Sequence, residues 1–299
     1  MTPGVVHATR SSVQARLEAR LGSANEARWM VDHVVGRRGE VDELAARTLR
    51  AMASRRLAGE PLQYVLGTWP FRTVELAVDT RALIPRPETE QVVELALAEA
   101  RRQLAGPVDP APHAGPFAVA DLGTGTGAIA LSIAAEIGPV RPDLRVSATD
   151  VDPDALELAA ANRRRVARDH PHVVAQVELR AGSWFDALDP EWRGTVRLVV
   201  SNPPYVSEDE WETLDPQVRR EPYRALVAPS GSDGTPGFAA VEAVAAGAAR
   251  WLAPGGAVVV EISPHQASAA ERLAARSGYR GVRLEPDLAG RARALVARR

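Results

Sequence analysis

Cysteine and lysine are both missing from this 299-residue chain. Without a thiol there is no disulfide, no thiolate metal site and no cysteine nucleophile. All 36 basic residues are arginine; with the heavy use of alanine, that bias reads as composition and carries no functional weight. Neither sign of charge dominates. The 38 acidic residues leave a net charge of −2, so the chain as a whole has no electrostatic reason to bind nucleic acid or a membrane. No apolar run approaches a membrane span, and residues 1–10 lack the apolar centre of a signal peptide. The expected location is the cytoplasm. The six histidines are scattered, and His170 and His172 flank a proline in a loop, so no metal is expected. No local spacing points to a Ser-His-Asp arrangement, and there are no internal repeats.

What is present is an ordinary soluble composition, 45% apolar and 25% charged. The length is near the point where one core stops growing, which predicts two domains of unequal size. Three regions follow from the patterning. Residues 1–60 read as a helical bundle, with helices over 11–21, 25–35 and 40–57, Ser11, Ser12 and Asn25 as caps, and Gly22 and Gly36 at the ends. In the third helix Val41, Leu44, Ala45, Thr48 and Met52 fall at helical spacing. Residues 61–116 begin with partly alternating apolar and aromatic positions over 62–78, which predict a β-hairpin. A helix with Pro87 in its first turn follows, then a Pro/Gly-rich linker over 105–116. Glu88 and Glu90 suit the positive end of that helix dipole. Arg86, between two prolines, has no such explanation and is expected over a ligand.

Residues 117–299 alternate strand-like and helix-like segments, the pattern of an α/β fold with a mostly parallel sheet. Strands are expected at 117–121, 145–149, 173–180, 196–201 and 257–262, and helices at 127–137, 153–168, 236–252 and 264–276. Segments 281–285 and 292–297 are expected to close the sheet as an antiparallel hairpin.

Two constellations in this region carry chemistry. The strand ending at Ser201 runs into Asn202-Pro203-Pro204-Tyr205. Two prolines in series stop the strand, and Pro203 holds Asn202 extended at its carboxyl end, the edge where open α/β sheets bind ligands. The Asn202 side-chain oxygen and the Pro203 carbonyl can each accept a hydrogen from a planar NH2 group. The second constellation is Asp121-Leu122-Gly123-Thr124-Gly125-Thr126-Gly127, between a strand and a helix. Its glycines let backbone approach a ligand, but the spacing is not G-x-G-x-x-G, because Ala128 follows Gly127. Asp150, at the end of the next strand, is placed to accept both hydroxyls of a ribose. Trp184 follows the third strand, where it either stacks on an adenine or packs in the core. Asp121 is expected near a cationic end group.

These residues resemble a known family. The glycine loop with Asp150 resembles the S-adenosyl-L-methionine site of class I methyltransferases, which implies a Rossmann-like domain. Asn-Pro-Pro-Tyr resembles their motif for methylating a planar amino nitrogen. Arg56 to Tyr64, Leu83-Ile84-Pro85-Arg86-Pro87-Glu88-Thr89-Glu90 and Arg220-Glu221-Pro222 resemble the peptide chain release factor N5-glutamine methyltransferases, and the resemblance spans nearly the whole chain. In two places the chain departs from that pattern. Ser183 stands where an acid is common, and Ser263 where glycine is common. The resemblance implies catalysis by Asn202, Pro203 and Tyr205, with the acceptor amide held by Asn202, Pro203, Pro204 and Tyr205. It implies cofactor contacts from Asp121, Gly123, Thr124, Gly125, Thr126, Gly127, Asp150, Trp184 and Asn202. The substrate it implies is the Gly-Gly-Gln glutamine of bacterial class I release factors, held by the amino-terminal helices of a monomeric enzyme that contacts neither membrane nor nucleic acid. The rival readings are a ribosomal-protein glutamine methyltransferase, a nucleic-acid adenine N6-methyltransferase, which must extrude its base, and a non-catalytic cofactor-binding adaptor.

Overall fold

The computed structural model describes residues 9–37, 39–105 and 115–299, and its contacts divide the chain into two units. The first comprises residues up to Thr68 together with Asp215–Arg220; the second holds Trp69–Leu214 and Glu221–Arg299. The expected 105–116 linker falls almost entirely outside the described residues.

The first unit is helical: α1 Arg10–Leu21, α2 Ala24–Val35, α3 Glu43–Leu57 and α4 Leu62–Leu66. The caps lie a little upstream of those expected. Thr9, Ser23 and Asp42 accept the orphan amides of Ser12, Glu26 and Ala45. Val13, Leu17, Met30, Val31, Leu49, Met52, Leu62 and Val65 make one core. Leu44, expected inside, is exposed, and Leu49 fills the face instead. Arg56 grips Glu26 through two hydrogen bonds of 2.8 and 2.9 Å, tying α3 to α2. The stretch 62–66, expected as strand, is a single helical turn. Five apolar-rich residues satisfy either period, and Gly67, in the left-handed region with its N–H on the Gln63 carbonyl, closes the turn.

In the second unit a short hairpin, β1 Thr68–Phe71 and β2 Val74–Ala77, leads to α5 Pro87–Ala105. The main sheet has the order β5-β4-β3-β6-β7-β9-β8, with β3 Ala118–Leu122, β4 Arg145–Asp150, β5 Val177–Ala181, β6 Val196–Ser201, β7 Leu252–Glu261, β8 Arg280–Pro286 and β9 Ala292–Arg298. The first five in that order are parallel. β9 runs antiparallel to both its neighbours, so the closing hairpin is as expected. Helices α6 Ala128–Ile137, α7 Pro153–Val166, α11 Ala239–Ala248 and α12 Ala267–Arg276 flank the sheet; α8 Val173–Gln176, α9 Glu208–Trp211 and α10 Tyr223–Leu226 are single turns. The expected strand at 173–180 begins only at Val177, because its first four residues coil into α8.

β6 shows why its sequence is continuously apolar. Leu198 and Val200 enter the core on one face of the sheet, and Val196 and Val199 enter the core on the other. Glu99 of α5, buried, accepts from Arg298, Arg102 and Arg283 at 2.7–3.0 Å, which fastens α5 to the antiparallel edge. Burial alone would raise its carboxyl, but the three guanidiniums hold it at about 2. Among the described residues no helix is long and apolar enough to cross a membrane, and no cluster of potential ligands could hold a metal.

Candidate active site

From β3 the chain moves outward to β4 and β5, then returns to β6 on the other side of β3. The carboxyl ends of β3, β4 and β6 therefore flank the point where the strand order reverses, and a crevice opens there. A cavity of about 1040 Å³, including its open mouth, occupies it. Its wall includes Gly123, Thr124, Gly125 and Thr126 from the loop after β3, Asp150 from β4, Ser183 and Trp184 after β5, and Asn202 and Pro204 after β6.

The glycine loop is held from below. Gly123 and Thr124 donate their amides to the Thr149 carbonyl at 2.9 and 2.8 Å. Asp121, wholly buried, accepts on Oδ2 from the Thr124 hydroxyl at 2.6 Å and the Ala130 amide at 3.1 Å. Its Oδ1 is buried with no hydrogen-bond partner. Burial pushes this carboxyl up to about 7 despite those bonds, and the nearby Asp150 adds to the rise. Asp121, expected near a cationic end group, is not part of the cavity wall and braces the glycine loop from beneath. Gly123, Gly125 and Gly127 all have positive φ. At Gly123 a Cβ would meet the Trp184 ring at 3.4 Å, and at Gly127 it would meet Leu131 at 3.0 Å. Gly127 thus serves the start of α6 and lies outside the cavity wall.

Asp150 meets the loop directly. Its Oδ2 accepts from the Gly125 amide at 2.8 Å and its Oδ1 from the Asp152 amide at 2.9 Å. Each oxygen keeps a further lone pair. The Trp184 ring packs against the core on the α11 face and also walls the cavity beside Gly123. It does so with φ at 44°, a strained value for a non-glycine residue.

Beyond β6, Asn202 donates its Nδ2 to the Thr89 hydroxyl at 3.0 Å. Pro203 is buried and does not line the cavity, whereas Pro204 does. Tyr205 also lies outside the wall. Its hydroxyl donates to Glu261 at 3.2 Å, and burial beside that carboxyl raises the phenol well above its ordinary range. The backbone of the turn is pinned from three sides. The Tyr205 and Val206 amides reach the Leu226 carbonyl, Gln266 donates to the Tyr205 carbonyl, and Gly237 lies so close that a Cβ would sit 2.3 Å from that oxygen. Arg86 does not reach over a ligand as expected: it pairs with the buried Glu221, which also accepts from the Ile84 amide at 2.9 Å. The two proline-rich stretches are thereby locked together.

Sequence reasoning missed Thr89, Glu261, Asn162 and Gly237. Asn162 of α7 bonds both backbone groups of Ala77 and the Thr126 carbonyl, joining hairpin to glycine loop. An asparagine inside a helix, buried where the period calls for an apolar residue, was the one available signal.

The arrangement suits an adenosyl ligand on the β3–β4 side and a planar amide on the β6 side. Residues 111–217 match the family model of the methyltransferase small domain. The release factor glutamine methyltransferase of Burkholderia pseudomallei is 37% identical over 95% of this chain and 92% of its own length. That of Bordetella pertussis is 38% identical over 89% and 91%, and that of Cereibacter sphaeroides 40% identical over 86% and 80%. Among solved structures, the N-terminal domain of human METTL16 in complex with SAH aligns over 95% of this chain and 93% of its own, at 14% identity and a TM-score of 0.46. Identity at this level across nearly the full length of such relatives shows that the chain belongs to the release factor glutamine methyltransferase family.

Proposed function

We propose that this methyltransferase moves a methyl group from S-adenosyl-L-methionine to the side-chain nitrogen of a glutamine, N5, in the Gly-Gly-Gln loop of bacterial class I release factors. The observation that carries the reading is the single cavity at the strand-order reversal, walled by the glycine loop and Asp150 on one side and by Asn202 on the other. Asp150 would hold the ribose hydroxyls and Trp184 the adenine, while Asp121 would hold the glycine loop in shape through Thr124. The cofactor supplies an electrophilic methyl on a sulfonium.

An amide nitrogen is a poor nucleophile because its lone pair is delocalised into the carbonyl. Asn202 Oδ1, at the cavity wall, would accept one N–H hydrogen and orient that lone pair toward the methyl; Pro203, buried behind the wall, would hold Asn202 extended. The partial negative charge of Oδ1 also favours the positive charge that grows on nitrogen during displacement. Once the C–N bond has formed and the C–S bond has broken, nitrogen is far more acidic and sheds its proton to solvent. The first unit's helices are the assigned grip on the protein substrate.

The test is incubation with methyl-labelled cofactor and a purified release factor, followed by mass mapping. One methyl on the Gly-Gly-Gln glutamine is expected. Label in ribosomal protein or nucleic acid, with none in the release factor, would refute the assignment.

A further inference from the structure

We infer that Thr89 and Glu261 are positioning residues that fix which end of the Asn202 amide faces the cavity. The inference rests on the proposed role of Asn202 as an acceptor for the substrate NH2. Glu261 is the last residue of β7, beside the end of β6, and it is fully buried. A buried carboxylate is costly unless its oxygens are engaged, and no step of the proposed chemistry uses this one.

Its partners explain it. Oε2 accepts from the Thr89 hydroxyl at 2.7 Å, and Oε1 accepts from the Tyr205 hydroxyl at 3.2 Å. An ionised carboxylate only accepts, so both hydroxyls must donate to it. Thr89 has a single hydrogen. Once that is given to Glu261, its oxygen can only accept from Asn202, 3.0 Å away. Asn202 must therefore turn its NH2 toward Thr89, which leaves Oδ1 as the end presented to the crevice. The chain Glu261–Thr89–Asn202 has one permitted polarity, and the buried charge sets it. Burial pushes the Glu261 carboxyl up to about 7, opposed by Thr89, Tyr205 and Arg293 and reinforced by Glu88, so the relay is best read at pH 8.

Thr89→Val keeps the shape and removes the hydroxyl. In single turnover at pH 8, with saturating cofactor and release factor, it should lose roughly 10–100-fold in rate, the scale of misorienting one reacting partner. The KM for release factor and the Kd for cofactor should stay within about twofold, and Thr89→Ser should recover most of the rate. In an Asn202→Ala background, Thr89→Val should add nothing. Wild-type turnover by Thr89→Val, or an equal further loss in the Asn202→Ala background, overturns the relay. A second measurement does not depend on turnover. With selectively 15N-labelled asparagine, one Asn202 side-chain hydrogen should resonate and exchange as hydrogen-bonded in the wild type and as free in Thr89→Val. Identical spectra reject the inference even if the release factor proves to be the wrong substrate, while wild-type inactivity on release factor with the spectral change present counts against the function alone.

Discussion

Replacing Asp150 by alanine separates the job the structure shows for this carboxylate from the one proposed for it. Its oxygens hold the Gly125 and Asp152 amides at 2.8 and 2.9 Å, and their remaining lone pairs are assigned to the ribose. Both amides lie at the cavity rim, where water can replace the lost acceptor, so the free protein should lose only about 1 kcal/mol. Hydrogen bonds from the ribose to a charged acceptor are worth about 1.5–3 kcal/mol, which is roughly a 10–150-fold rise in the Kd for S-adenosyl-L-methionine. Thermal unfolding gives an independent reading. At a cofactor concentration a hundred times the wild-type Kd, binding stabilises the wild type by about 2.7 kcal/mol, whereas a variant weakened thirtyfold gains only about 0.9 kcal/mol. That difference lowers the melting temperature with cofactor by roughly 3 °C. Asp150→Asn should not rescue, because its amide nitrogen must face one of the two backbone N–H groups, donor against donor. Titration calorimetry decides: an unchanged Kd in Asp150→Ala removes this residue from the ribose site, and wild-type behaviour of Asp150→Asn reduces it to a spacer.

Trp184→Ala should weaken cofactor binding by about 1–3 kcal/mol if the ring stacks on adenine, and calorimetry showing no change would leave the ring as core packing alone. Asn202→Ala should lower single-turnover rate by about 10²–10³-fold with little effect on cofactor Kd. Asn202→Asp should do no better, since Thr89 has no hydrogen left to offer a carboxylate; substantial activity in the Asp variant would break that argument. Glu99, held at about 2 by its arginines, contributes stability that is complete above the ordinary glutamate pKa and fades as pH falls toward 2. Denaturant midpoints should show Glu99→Gln less stable by on the order of 2 kcal/mol at pH 7, a figure discounted for partly exposed guanidiniums, and the gap should narrow as pH falls below the ordinary glutamate range and close only as it passes about 2.

Local chemistry was legible in the sequence wherever it was continuous along the chain. The β6 run into Asn202-Pro203-Pro204-Tyr205, the glycine loop after β3 and Asp150 at the end of β4 are each written within a few residues, because strand burial, proline stiffness and glycine freedom act locally. The parallel sheet and its antiparallel closing hairpin followed from the alternation of such segments. The boundaries that failed, at 62–66 and 173–176, are runs too short for either period to prevail. What only the tertiary structure decided are pairings across long sequence separations. Thr89 meets Asn202 and Glu261, Arg86 meets Glu221, Asn162 meets Ala77 and Thr126, and Glu99 meets three arginines. From the sequence alone Glu88, Thr89 and Glu90 are the polar first turn of a helix. Their neighbours are chosen by where α5 crosses the ends of β6 and β7, and a hydrogen bond's direction is settled only when donor and acceptor are brought within about 3 Å of each other.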